Sequence, residues 1–160
     1  QVSLVCVGEG PLRGWIENLG DDDPRIHVLP YESDRGRLAR VLASADLYLT
    51  AGPHETFALS VIEAQACGLG VIGVAAGALL DRVSESDGIL ARPDDPDAFA
   101  RALEEGMRRD RTALGRNARR RVEENFSWNS TFTELLELYR RIGDREPRPT
   151  AVGGDAPCAP

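Results

Sequence analysis

The sequence contains little cysteine, no long apolar run and no excess of positive charge. Its three cysteines, Cys6, Cys67 and Cys158, form no CxxC pair and no His/Cys cluster, so they indicate neither a zinc site nor a disulfide framework. No stretch approaches the roughly 20 apolar residues of a membrane-spanning helix. The N-terminus lacks the basic and then apolar segments of a signal peptide. These absences predict a cytoplasmic protein in which Cys6 and Cys67 are small buried apolar residues.

The charge balance narrows the class of ligand. The net charge is −7 at pH 7, which argues against binding to a nucleic acid, because phosphate backbones need basic surfaces. A nucleotide is still compatible with this charge, since it needs only a local pocket. The 160 residues, of which 42% are hydrophobic and 28% charged, are enough for one domain with its own core.

Apolar runs alternate with helical patterns along most of the chain. Runs that are apolar throughout are typical of strands covered on both faces of a parallel sheet. They predict strands at residues 2–7, 25–29, 46–50, 71–74 and 88–91. The predicted fold class is therefore α/β, a Rossmann-like parallel sheet of about five strands with helices on both faces.

Three more helices are predicted after the last strand, at residues 96–107, at 112–125 and after a cap at Ser127. Residues 1–142 are assigned to the Rossmann-like domain. Residues 143–160 contain four prolines and no apolar periodicity, so we predict that they form a disordered tail.

The stretch after the third predicted strand carries the strongest functional signal. Gly52-Pro53 breaks the strand, and an apolar helix is predicted from Ala58 until Gly68 stops it. A helix N-terminus at the carboxyl end of a parallel strand is a place to bind a phosphate. Two acids, Glu55 and Glu63, bracket the loop and the first helical turns.

Two other predicted loops are expected at the same edge of the sheet. They follow Val7 and Val74 and, like the loop after Thr50, they are rich in glycine or alanine. Small residues let a ligand approach the backbone closely.

Five landmarks follow one another in an order that matches a known family. They are the turn Gly8-Glu9-Gly10-Pro11-Leu12, the junction Ser44-Ala45-Asp46-Leu47, the E-x7-E motif from Glu55 to Glu63, Gly88-Ile89-Leu90, and the corner Phe126-Ser127-Trp128. Together they resemble glycosyltransferase family 4 (group 1), in the C-terminal, nucleotide-binding half of its GT-B fold. The resemblance covers about residues 2–142.

The resemblance implies a retaining transfer of sugar from a nucleotide-diphosphate donor, a UDP- or GDP-sugar, to an acceptor hydroxyl, with no metal or other cofactor. It implies that Glu55 is the catalytic-site acid that holds the donor sugar's hydroxyls and that Glu63 holds the ribose hydroxyls. Backbone N–H groups would meet the sugar and diphosphate, namely those of Thr56, Phe57, Ala58 and Leu59. Gly8 and Gly10 are either donor contacts or simple turn glycines.

Three departures from the family pattern shape the expectations. Ala58 stands where glycine is usual, and Gly70 where proline is usual. The family's first strand-helix unit, with cations for the diphosphate, and its N-terminal acceptor domain have no counterpart in this sequence. We therefore expect part of a longer enzyme, inactive on its own, whose sugar or lipid acceptor binds through the other domain and which associates at most peripherally with a membrane.

The missing strand would be central in the family's sheet, so we expect an exposed apolar edge that could mediate homo-oligomerisation. Two alternatives to a transferase stay open: a non-catalytic nucleotide-binding or assembly module, and a nucleotide-sugar epimerase of the same fold. Arginines 116 and 119–121 alternate with acids on a predicted helix and are interpreted as a solvated face.

Overall fold

A computed structural model describes residues 2–143. The predicted tail, residues 143–160, lies outside this part of the chain except for Gly143, which ends the last helix. The strands are β1 (Leu4–Val7), β2 (Ile26–Leu29), β3 (Leu47–Leu49), β4 (Gly70–Val74) and β5 (Gly88–Ala91). The helices are α1 (Arg13–Asp22), α2 (Arg35–Ala43), α3 (Leu59–Ala66), α4 (Leu79–Arg82), α5 (Pro96–Arg108), α6 (Arg111–Asn125) and α7 (Trp128–Gly143).

The predicted α/β fold with parallel strands is confirmed, but the strands form two sheets. β1 pairs with β2, and β3, β4 and β5 pair in that order, all in parallel. The sheet is therefore interrupted between β1 and β3.

Apolar side chains of β1 are in contact with solvent. Leu4, Val5 and Val7 are 40%, 47% and 39% exposed, so the exposed apolar edge expected from the sequence is observed. Cys6 in the same strand is only half-buried, and so is Cys67 just after α3. The prediction that both cysteines are buried was wrong, because neither position is fully covered by packed elements.

The core lies on both faces of β4. All five residues of this strand are buried. One face packs with α3 and α4 through Val61, Val71 and Leu79, and the other packs with α5 through Ile72 and Ala102. A strand that is covered on both faces has apolar residues at every position, and this continuous apolar run is the pattern from which β4 was predicted.

Side-chain caps fix the starts of several helices. The Asp34 carboxylate accepts from the Arg37 N–H at 2.8 Å, and the Asp95 carboxylate accepts from the Ala98 N–H at 2.8 Å. The hydrogen bond from Ala98, followed by the one from Arg92, holds the pKa of Asp95 below its ordinary value. Pro96 supplies the first residue of α5, where no N–H is needed.

The chain divides into two compact units, with the boundary after Glu123. In the second unit the Ser127 hydroxyl caps α7 by accepting from the Ser130 N–H at 3.2 Å. Trp128 stacks on Phe132 with ring centroids 5.6 Å apart. No helix in residues 2–143 is both long and apolar enough to cross a membrane.

The predicted solvated face of α6 is only partly correct. Arg119 pairs with Glu123 at the surface, with 2.8 Å between the charged groups. Arg121 instead reaches towards the sheet, where it donates to the Asp81 carbonyl at 2.7 Å and lies 3.6 Å from the buried Asp87 carboxylate. The regular spacing of charges could not distinguish this arginine from its neighbours.

Gly115 of α6 packs closely against the backbone of Gly68, just after α3, and this contact can be tested. A Cβ at Gly115 would overlap the Gly68 carbonyl oxygen. Helix propensity alone would favour alanine by about 1 kcal/mol, but the backbone must move to admit the methyl group. We expect Gly115→Ala to lower the free energy of unfolding by about 2 kcal/mol or more, measured by urea denaturation.

Gly14→Ala is the matched control, because it is also helical and has no atom within 4 Å of the added Cβ. It should leave stability unchanged or raise it by up to about 1 kcal/mol. Equal effects of the two substitutions would show that α6 does not pack this closely.

Candidate functional site

The loop after β3 leads directly into α3 and forms the centre of the candidate site. The Thr50 N–H still bonds to the Ile72 carbonyl of β4 at 3.0 Å, so the chain leaves the sheet just after this residue. Gly52 and Pro53 then turn it, and α3 begins at Leu59. The site therefore lies at the carboxyl end of the parallel strands, as the sequence predicted.

Ala58, the residue before α3, has a left-handed backbone conformation. Its φ and ψ are 57° and 51°, a region where a residue with a Cβ is less stable by about 1–2 kcal/mol. Its side chain is 1% exposed and packs in the core beside Val61 and Val71. Ala58 stands where glycine is usual in the family that the sequence resembles, and glycine adopts this conformation at no steric cost.

The backbone N–H groups of residues 55–60 donate to no other residue among those that the structure describes. The first N–H groups to bond within α3 are those of Val61 and Ile62, which both donate to the Ala58 carbonyl. A helix start normally leaves its first N–H groups open, and here the open run extends back into the loop. These donors, together with the positive end of the helix dipole, suit an anion.

Both predicted acids lie in the same stretch of chain as these donors. Glu55 is half-buried in the loop, and Glu63 is half-buried one turn into α3. Neither carboxylate has a hydrogen bond or an ion pair within residues 2–143. Carboxylates without a protein partner are available to accept hydrogen bonds from the hydroxyl groups of a ligand.

A second loop, residues 75–78 after β4, packs against the first. The Ala78 N–H donates to the Glu55 carbonyl at 2.9 Å. Gly77 has φ 53°, and a Cβ there would lie 2.6 Å from the same carbonyl oxygen and 3.2 Å from that of Pro53. Only glycine fits this position, because a Cβ would lie too close to these carbonyl oxygens and the positive φ would add strain.

Two residues at this site were missed from the sequence. The Arg82 Nε donates to the Phe57 carbonyl at 3.2 Å, and its guanidinium lies 4.8 Å from the centroid of the Phe57 ring. Gln65, fully buried in α3, donates from Nε2 to the Arg82 carbonyl at 2.8 Å. Arg82 is thus a cation in contact with this loop, whereas the expectation that the cations for the diphosphate lie outside this sequence stays a prediction.

The predicted glycines of the first turn are not joined to this loop. Gly8 has φ 138° and continues the pairing of β1 by donating to the Leu29 carbonyl at 3.1 Å. A Cβ at Gly10 would meet no atom within 4 Å. No hydrogen bond links either glycine to residues 52–59 within the described chain. Their role as donor contacts stays a prediction.

No group of three or more His, Cys, Asp or Glu side chains within residues 2–143 is placed to hold a metal ion.

Cys67, near Glu63, is not suited to act as a thiolate. Burial raises its pKa, Arg119 lowers it and Glu63 raises it again, with a net rise.

The sequence matches a family of glycosyltransferases. A family model described as "Glycosyl transferases group 1" matches residues 1–109. The chain therefore belongs to the group 1 glycosyltransferases.

The relatives by sequence include two mycobacterial enzymes. The GDP-mannose-dependent alpha-(1-6)-phosphatidylinositol dimannoside mannosyltransferase of Mycobacterium tuberculosis is 38% identical over 133 residues, which are 83% of this chain and 34% of that protein. The D-inositol 3-phosphate glycosyltransferase of Mycobacterium ulcerans is 38% identical over 125 residues, 75% of this chain and 27% of its own length. The chain thus spans about a third of these relatives.

Solved structures show the same fold. Sucrose-phosphate synthase from Thermosynechococcus elongatus superposes with a TM-score of 0.74 at 31% identity, covering 88% of this chain and 38% of that one. The Anabaena protein HepE, solved in complex with UDP, gives a TM-score of 0.72 at 19% identity, over 88% of this chain and 41% of that one. These neighbours are GT-B glycosyltransferases, so the predicted fold family is confirmed.

Substitutions at Ala58 test the strained turn. Glycine would remove strain of about 1–2 kcal/mol, but it would lose about 0.8 kcal/mol of methyl burial and add about 0.5–1 kcal/mol of backbone entropy cost. We expect Ala58→Gly to change the free energy of unfolding by less than about 1 kcal/mol in urea denaturation.

Ala58→Val is the informative contrast. A β-branched side chain is poorly tolerated at positive φ and would overfill the buried site, so it should destabilise by about 2–4 kcal/mol. A valine variant as stable as the wild type would contradict the left-handed turn.

Proposed function

We propose that this chain binds the nucleotide of a nucleotide-sugar donor and that the whole protein transfers the sugar to an acceptor hydroxyl with retention of configuration. The observation that carries the proposal is the run of unpartnered N–H groups at residues 55–60, at the start of α3. A diphosphate carries several acceptor oxygens and negative charge, and it matches fixed N–H donors at a positive helix end.

The proposed roles of the two acids follow from their chemistry. Glu63 accepts hydrogen bonds from the ribose hydroxyls, and Glu55 accepts them from the hydroxyls of the donor sugar. A carboxylate has two oxygens that suit a pair of neighbouring hydroxyls, and such charge-assisted hydrogen bonds are stronger than neutral ones.

The N–H groups also have a proposed part in the reaction. Negative charge develops on the diphosphate as the bond to the sugar breaks. Donors that are already oriented stabilise this charge without rearrangement, which lowers the barrier. The relative that acts on GDP-mannose supports a GDP-sugar as the donor. HepE, which was solved in complex with UDP, shares only its fold with this chain. We therefore take UDP as the second nucleotide to test.

Calorimetric titration of the chain with GDP and UDP tests the binding step. We expect one of the two nucleotides to bind, and Glu63→Ala to weaken it by roughly 10–100-fold, because hydrogen bonds to a charged acceptor are lost. Glu85→Ala is the matched control, since Glu85 is an exposed acid whose carboxylate has no partner among residues 2–143. Unchanged affinity in Glu63→Ala would refute the ribose assignment.

Metal independence is the second test. In the proposal the N–H groups and the helix dipole meet the phosphate charge, so no divalent cation is needed. Nucleotide affinity in excess EDTA should stay within about twofold of the value without chelator. Loss of binding in EDTA that added Mg²⁺ restores would contradict this mode of binding.

A further inference from the structure

We propose that Arg82 is a positioning residue for the donor loop. Its side chain holds the backbone of Phe57 and Ala58 in the left-handed turn that orients the open N–H groups. The expected effect of Arg82 on nucleotide binding rests on the proposed function. Its expected effect on the order of the loop does not, because that is a property of the protein without ligand.

Arg82 contacts Phe57 in two ways at once. Its Nε donates to the main-chain carbonyl at 3.2 Å, and its guanidinium lies 4.8 Å from the ring centroid. A planar guanidinium can stack on a ring and donate a hydrogen bond in the same arrangement, which the ammonium of lysine does not reproduce. One side chain thus restrains both the main chain and the ring of Phe57.

The main chain of Arg82 is held by a residue of the core. Its carbonyl accepts a hydrogen bond of 2.8 Å from Gln65, which is 0% exposed. Arg82 also ends α4, whose first residue, Leu79, is 0% exposed. The main chain of Arg82 is therefore fixed, and this limits the movement of its guanidinium.

The loop backbone is restrained at two points, two residues apart. The Ala78 N–H holds the Glu55 carbonyl at 2.9 Å, and Arg82 holds the Phe57 carbonyl. Two fixed carbonyls define the path of the chain through Thr56. They also set the direction in which the N–H groups between and after them point.

This restraint matters because residue 58 is alanine. At φ 57° an alanine is strained and would relax towards negative φ if nothing opposed it. Strained backbone conformations persist only where surrounding contacts enforce them. Glycine populates both signs of φ about equally, so a loop with glycine at this position would depend less on Arg82.

The test uses the complete chain with four substitutions: Arg82→Gln, Arg82→Lys, Ala58→Gly, and the double variant Ala58→Gly/Arg82→Gln. Arg108→Gln is the control, because Arg108 is exposed on α5 and pairs with Glu104 at 3.2 Å. The readouts are NMR order parameters of Phe57 and residue 58 without ligand, and calorimetric affinities for GDP and GMP, or for UDP and UMP if UDP is the nucleotide that binds.

In Arg82→Gln we expect order parameters at these residues to fall from about 0.85 to below about 0.6. Diphosphate affinity should fall about tenfold, and the advantage of the diphosphate over the monophosphate should shrink. Arg82→Lys should behave in the same way although it keeps the charge. In the Ala58→Gly background the same Arg82→Gln change should cost no more than about threefold in affinity.

Two results would overturn the inference. One is an Arg82→Gln variant with wild-type loop order and wild-type diphosphate affinity. The other is an Arg82→Lys variant that binds like the wild type, because charge alone would then explain the effect. If Arg82→Gln fails to fold, Arg82→Lys and the double variant decide between these outcomes.

The proposed function can fail separately. A wild-type chain that binds neither GDP nor UDP overturns the donor site, while the order parameters still decide whether Arg82 positions the loop.

Discussion

Strand β4 has no exposed residue, so both of its faces must be covered by other elements. The helices α3 and α4 cover one face, and α5 covers the other. Burial of apolar side chains such as Val71 and Ile72 is worth about 1.5–3 kcal/mol each, which makes this packing the main source of order in the unit. The loops at the carboxyl ends of β3 and β4 lie side by side because these two strands are paired in parallel.

The candidate site combines this rigid support with backbone that is left unsatisfied. The N–H groups of residues 55–60 have no acceptor in the described chain, and Ala58 is held in a strained conformation. Each feature lowers stability if considered by itself. Such costs are typical of places where a protein keeps its donors ready for a ligand, and the supporting contacts are those from Ala78 and Arg82.

Much of the fold followed from local pattern. All five strands were predicted within two residues of their observed bounds, since a buried parallel strand needs a continuous apolar run. The cap Ser127 was also predicted from its residue type and place. The division of the strands into two sheets was not predicted, because hydrogen bonding between strands depends on which strands lie next to each other.

By itself the sequence determined the order of strands and helices, the loop into α3 as the candidate site, and the family to which the chain belongs. Tertiary structure alone decided that Arg82 contacts Phe57, 25 residues earlier, and that Gln65 anchors it. It also decided that Arg121 lies beside the buried Asp87 while Arg119 and Arg120 are exposed. Periodicity reports which face of an element is buried, but not which side chain meets which across distant segments of the chain.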